Sequence, residues 1–218
     1  MTGAVLWDLD GTLVDSAEYH WQAWRDIMAA EGVPITREQF LETFGWRNDA
    51  IIPRWLRNAA DPERVQRIGD AKEAKYRSLV RANGIAPLPG ADAWVRLLNA
   101  EGWLQAVASS APRLNIEVVL EVLGLTDCFQ AIVAAEDVHR GKPDPEVFVL
   151  AASRLGAEAD RSIVVEDALA GVEAARRAGM RCIGVSRSGV TLGADVEVKS
   201  LADLPSTAFS DLIGARRS

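Results

Sequence analysis

The chain has 218 residues, 49% of them hydrophobic, enough for the core of one large domain or of two modest ones. A net charge of −7 and a pI near 5.0, with no run of Lys and Arg to follow a phosphate backbone, argue against a nucleic-acid partner. Two distant cysteines, Cys128 and Cys182, give neither a disulfide framework nor a zinc spacing, and no signal-peptide pattern or ~20-residue apolar run appears. The expectation is a soluble cytoplasmic protein with no membrane partner. A small anionic ligand stays open, because one local positive site can hold a phosphate inside an acidic protein.

Ala4-Val5-Leu6-Trp7 is a short apolar run followed at once by Asp8, Asp10 and Gly11. It reads as a buried strand whose carboxyl end delivers two carboxylates into a turn. Residues 15–86 then carry helical patterns and no convincing strand. Ala17, Trp21, Trp24 and Met28 recur as one apolar stripe, Ile51, Ile52, Trp55 and Leu56 make a second, and Glu63 to Val80 predicts a longer, more charged helix. Four of the seven tryptophans fall here, enough to seed a separate small core. Pro87-Leu88-Pro89-Gly90 reads as the hinge out of this segment.

From there strands and helices alternate. Helix Ala91 to Ala100 precedes strand Leu104 to Ala108, which ends at Ser109. Helix Arg113 to Leu123 precedes strand Ala131 to Ala134, which ends near Glu136. Helix Pro145 to Leu155 precedes strand Ser162 to Val165, which ends at Glu166 and Asp167. Helix Ala168 to Ala178 precedes strand Cys182 to Val185, which ends at Ser186. Gly102, Gly124, Gly156 and Gly179 supply the helix stops. The fold class is α/β, with an open, largely parallel sheet formed by residues 1–14 and 87–218 and an all-helical insertion at 15–86. The tail from Ser206 is expected to fray. In such sheets ligands bind outside the carboxyl ends of the strands, where the polar residues fall.

Those residues make chemical sense together. A carboxylate can attack phosphorus and split one hard displacement into two easier ones, and Asp8 is the candidate nucleophile. Asp8 and Asp167 offer the hard oxygen ligands that Mg2+ prefers, with Glu166 beside them. Ser109 can hydrogen-bond a phosphoryl oxygen, and Lys142 brings a compact charge to phosphate and nucleophile. Asp10 can protonate the leaving oxygen and later activate water. Each residue also has a plainer reading. The aspartates could cap a turn, Ser109 a helix with Ser110 as its adjacent substitute, and Lys142 and Glu166 could be solvated loop residues.

The arrangement resembles the haloacid dehalogenase superfamily. Asp8-Leu9-Asp10-Gly11-Thr12-Leu13 looks like its first motif, Ser109 sits at its second, Gly141-Lys142-Pro143-Asp144-Pro145 at its third, and Glu166-Asp167-Ala168-Leu169-Ala170-Gly171 at its fourth. The resemblance implies a Rossmann-like core with a helical cap. It also implies an aspartyl-phosphate intermediate and Mg2+ held by Asp8, the Asp10 backbone carbonyl, Glu166 and Asp167. The stretch from Asp15 to Trp24 and Gly45-Trp46-Arg47 resemble the cap of the β-phosphoglucomutase and sugar-phosphatase group. On that likeness His20, Arg47 and Ser110 are candidate substrate contacts. His20 and Arg47 are equally readable as ordinary packed or surface residues.

An intact Asp8-x-Asp10 pair points, within the superfamily, to phosphate esters. The leading expectation is a phosphatase of small phosphorylated metabolites, sugar phosphates above all, with a phosphosugar mutase as its rival. The mutase resembles this chain but carries a stretch like Ala-Ser-Lys-Asn where Ser110-Ala111-Pro112-Arg113 stands here, so within that stretch Arg113 is the group left to meet a second phosphate, while Glu18-Tyr19-His20 and Arg47 resemble the mutase cap. A signalling receiver module also phosphorylates a strand-end Asp, but has no helical insertion. A catalytically dead binding protein is the remaining alternative.

Overall fold

The computed structural model describes residues 3–57 and 61–214. In chain order the elements are β1 (Ala4–Trp7), α1 (Ala17–Ala30), α2 (Arg37–Leu41), α3 (Asn48–Trp55) and α4 (Pro62–Asn83). There follow α5 (Ala91–Ala100), β2 (Leu104–Ala108), α6 (Arg113–Leu123), β3 (Ala131–Val133) and α7 (Glu146–Leu155). The chain closes with β4 (Ser162–Glu166), α8 (Leu169–Arg177), β5 (Arg181–Val185), β6 (Val196–Val198) and α9 (Ala208–Gly214). The chain divides into two compact units, Met1–Asp15 with Ala86–Ser218, and Ser16–Ile85.

In the first unit six strands form one parallel sheet in the order β3-β2-β1-β4-β5-β6. The chain winds one way from β1 to β3 and the other way from β4 to β6, so the direction switches between β1 and β4. All four residues of β1 are fully buried, as expected of a central parallel strand covered on both faces. Trp7 stands level with Val107 and Val165, and Asp8 N extends the ladder to Val165 O at 3.0 Å. This register brings the ends of β1, β2 and β4 to the same edge. The polar intruder in β2, Gln105, is fully satisfied in the interior. Its amide donates to Val95 O (2.9 Å) and Cys128 O (3.3 Å), and its oxygen accepts from Trp7 Nε1 (2.9 Å).

Three elements escape the sequence reading, α9, β6 and α2. The tail does not fray from Ser206: α9 folds back, and Phe209 is buried against Trp94, Trp7 and Trp103, with ring centroids 4.9, 6.0 and 6.2 Å away. A seven-residue helix is too short to show a period, and its aromatic partners lie far off in sequence. Residues 215–218 lie outside the described part. Strand β6 was likewise illegible, being three residues long and only partly buried.

Among the described residues, every regular element of the second unit is a helix. Trp24, Met28, Ile35, Phe40, Ile51, Ile52, Trp55, Leu56 and Ile68 form its core, with Trp24 and Trp55 edge to face at 4.9 Å. Of its four tryptophans Trp46 stays out of that core, 52% exposed. Helix α4 outruns the expected Glu63 to Val80. Asp61 caps its first turn through Arg64 N (2.7 Å), and Gly84 at φ 73° ends it. The short α2 rests on a capping box between Thr36 and Gln39, a sequence signal left unread above.

Candidate active site

The carboxyl ends of β1 and β4 place Asp8, Glu166 and Asp167 side by side, with one oxygen of each within 4.8 Å of the others. Lys142, on the loop before α7, reaches between them. Its Nζ lies 2.6 Å from Asp8 Oδ1 and 2.6 Å from Glu166 Oε1, and 5.0 Å from the centre of the Phe148 ring. The second Glu166 oxygen accepts from Asp167 N and Ala168 N, both at 2.9 Å. Thr12 Oγ1 donates to Asp167 Oδ1 at 3.3 Å. Two glycines make room for these carboxylates. A Cβ on Gly11, whose φ of +92° already disfavours a side chain, would collide with the Asp167 carboxylate, and a Cβ on Gly171 would collide with that of Glu166.

Burial drives the electrostatics. It pushes the Asp8 carboxyl well above its ordinary range; Lys142 opposes this, while Glu166 and Asp167 add to it. Burial, seconded by Glu166, lifts Asp167 to about 7 against the pull of Lys142 and Thr12. For Lys142, burial works against the charged form, but Asp8 and Glu166 outweigh it and hold the ammonium above its usual range. One ammonium thus stands against three carboxylates. An all-oxygen site with excess negative charge is the donor chemistry of a hard divalent cation, so the residues fit Mg2+.

Ser109 is buried at the end of β2, its N–H on Val133 O (3.0 Å) and its hydroxyl accepting from Ala111 N (3.1 Å). The hydroxyl proton remains to donate. Ser110 follows, half-buried. Asp10 is half-buried two residues beyond Asp8, in a turn closed by Gly11 N on Val14 O at 2.8 Å. Arg113, left above as a phosphate anchor, is engaged elsewhere. Its guanidinium donates to Asp137 Oδ2 (2.6 Å) and Ile132 O (3.2 Å). Asp137 also accepts from Arg154 at 2.8 Å, and its carboxyl is held down at about 2, chiefly by that bond.

In the helical unit His20 belongs to a buried cluster that sequence reading did not see. Lys72 Nζ lies 2.9 Å from His20 Nδ1 and 2.8 Å from Glu73 Oε1, and Asn48 Nδ2 donates to that same oxygen at 2.7 Å. An ammonium can only donate, so His20 Nδ1 accepts and the ring proton sits on Nε2. The ring stacks on Tyr76 at 4.1 Å. Ile68, Lys72, Tyr76 and Val80 are spaced by four and all buried, so a lysine inside an apolar stripe was the available signal. Arg47 stands at the start of α3, its side chain 40% exposed and its Nε 3.5 Å from Asp49.

The model of the haloacid dehalogenase-like hydrolases matches residues 5–185. The chain is 34% identical to the β-phosphoglucomutase of Bacillus subtilis (strain 168), covering 92% of this chain and 91% of that one. It is 33% identical to hexitol phosphatase B of Escherichia coli (strain K12), covering 97% and 96%. The crystal structure of CbbY from Rhodobacter sphaeroides in complex with phosphate superposes with a TM-score of 0.87 at 31% identity, covering 97% of this chain and 100% of that one. A parallel α/β unit with carboxylates and a lysine gathered where its winding reverses, and a family match spanning most of it, lead to one conclusion: the chain belongs to the haloacid dehalogenase-like hydrolases.

Proposed function

We propose that the protein is a Mg2+-dependent phosphoric monoester hydrolase of small sugar phosphates, with Asp8 as nucleophile. The observation that carries this reading is the buried Asp8 carboxylate, held at Oδ1 by Lys142 among more negative charge than one lysine can balance. The lysine fixes the direction of Oδ2, and in the first step a carboxylate oxygen attacks phosphorus while the bond from phosphorus to the ester oxygen breaks. Asp10 gives its proton to that departing oxygen. It then takes a proton from water, which attacks the phosphorus of the Asp8 phosphate and frees both phosphate and Asp8.

Ser109 and Lys142 donate to the phosphoryl oxygens throughout. Asp8, the Asp10 carbonyl and Asp167 would hold Mg2+. Glu166, with one oxygen on Lys142 and the other on two backbone amides, completes the acidic set and orients both neighbours. The ion, when bound, neutralises charge on the phosphate as it meets the nucleophile.

The sugar-phosphate class rests on the relatives, among them the hexitol phosphatase and a fructose-1-phosphate phosphatase of Escherichia coli. The mutase reading is favoured by the likeness to the Bacillus enzyme. Against it, the cation that follows the Ser109 motif, Arg113, is spent on Asp137. The deciding experiment supplies β-glucose 1-phosphate with Mg2+ and a trace of glucose 1,6-bisphosphate. Inorganic phosphate should appear faster than glucose 6-phosphate; the reverse ranking would replace the phosphatase by the mutase.

A further inference from the structure

The amino terminus of α6 begins four residues after Ser109, on the rim of the phosphoryl site. Such a helix start ordinarily attracts anions, because its first amides are unpaired and the helix dipole is positive there. Here the chain supplies its own anion. Arg113 N donates to both carboxylate oxygens of Glu136, at 3.3 and 3.1 Å. Pro112, at the cap position, has no side-chain acceptor, and the first turn of α6 carries no acid, so the carboxylate arrives from the neighbouring loop. That loop is pinned alongside: Ser109 N donates to Val133 O and Ala135 N to Ala111 O, each at 3.0 Å. Asp137 meanwhile engages both Arg113 and Arg154. The rim beside Ser109 therefore presents a carboxylate, and the cation that opens α6, Arg113, is turned to Asp137.

We propose that Glu136 is a specificity-determining residue, which rejects esters carrying a second phosphate and admits those whose far end is a hydroxyl. A second phosphate dianion at this rim meets like charge and finds the helix start filled, whereas a hydroxyl can donate to the carboxylate. The proposal rests on the functional reading only in placing the reacting phosphate at Asp8.

The test is equilibrium binding, which needs no turnover. Full-length protein carrying Asp8→Asn, to prevent hydrolysis, is titrated in Mg2+ with glucose 6-phosphate and with glucose 1,6-bisphosphate, with and without Glu136→Gln. The bisphosphate-to-monophosphate affinity ratio should rise about three- to tenfold in Glu136→Gln and shrink again at high salt. Glu136→Ala, which also frees the amide, should raise it further. Glu117→Gln, an exposed acid on α6 itself, serves as the control for net charge. An unchanged ratio, an equal rise in Glu117→Gln, or no binding of either sugar would overturn the proposal. Failure of the unmodified enzyme to release phosphate from any hexose phosphate would instead overturn the functional reading, and the binding ratio would still judge Glu136.

Discussion

Each unit of the molecule buries a lysine, and the company the two keep differs. Lys72 in the helical unit faces one carboxylate, Glu73, whose oxygen is shared with Asn48. Burial works to push Glu73 up, but the Lys72 ammonium and the hydrogen bonds from Lys72 and Asn48 outweigh it and leave the carboxyl below its ordinary value. The account there is closed: one lysine against one carboxylate. Lys142 in the α/β unit faces Asp8 and Glu166 with Asp167 adjoining, and burial lifts both aspartates. With all three carboxyls ionised, that account stays open by two negative charges. A balanced buried pair is structure; an unbalanced one waits for a ligand.

Breaking the balanced cluster should have the largest effect on stability. Lys72→Met keeps the bulk but strands the Glu73 carboxylate, 9% exposed, so unfolding free energy should fall by about 3–5 kcal/mol. Adding Glu73→Gln should recover most of the loss. Denaturant melts of the single and double variants check this, and a single variant as stable as the unmodified protein would deny that the pair is closed.

On the unbalanced side, Asp10→Asn should slow alkyl phosphate turnover on the order of a hundredfold, because the leaving oxygen loses its proton donor. An aryl phosphate, whose leaving group hardly needs protonation, should lose far less. Steady-state rates on the two esters decide, and equal losses would remove Asp10 from the acid role.

The smallest expected effect is on pH dependence. Native Asp167 keeps its proton up to about 7, while in the unfolded chain it is lost near 3.8, so the native state binds more protons in between. Its contribution to metal-free stability therefore falls as pH rises through that window. Asp137 behaves oppositely: held at about 2, it contributes in full above the unfolded value and loses that contribution only on acidification toward 2. Melts in chelator from pH 5 to 8 should decline less steeply in Asp167→Asn, and Mg2+ should stabilise the unmodified protein more as pH rises. A parallel decline in the two proteins would contradict the assignment.

The open cluster was legible in the sequence and the closed one was not, for a physical reason. Asp8, Ser109 and Asp167 each stand at or beside the end of an apolar run, and short local patterns, Asp8-x-Asp10-Gly11 and Gly141-Lys142-Pro143, mark Asp8 and Lys142. In the helical cluster Lys72 alone leaves a local mark, inside the Ile68-Tyr76-Val80 stripe; that it meets His20, Asn48 and Glu73 follows only from the packing of α1, α3 and α4. Arg113 shows the same limit. Its residue type suits a phosphate, but the Asp137 that engages it lies on another loop, 24 residues on.

The most direct measurement of the central claim compares unmodified protein with Asp8→Asn for Mg2+-dependent phosphate release from a panel of hexose phosphates. The amide keeps the shape of Asp8 but cannot attack phosphorus, and it is a poorer metal ligand. The unmodified enzyme should release phosphate with Mg2+ and none in excess chelator, while a folded Asp8→Asn protein should release none in either condition. Near-normal release by Asp8→Asn, or full activity in chelator, would contradict the assignment of Asp8 as the group that carries the phosphate.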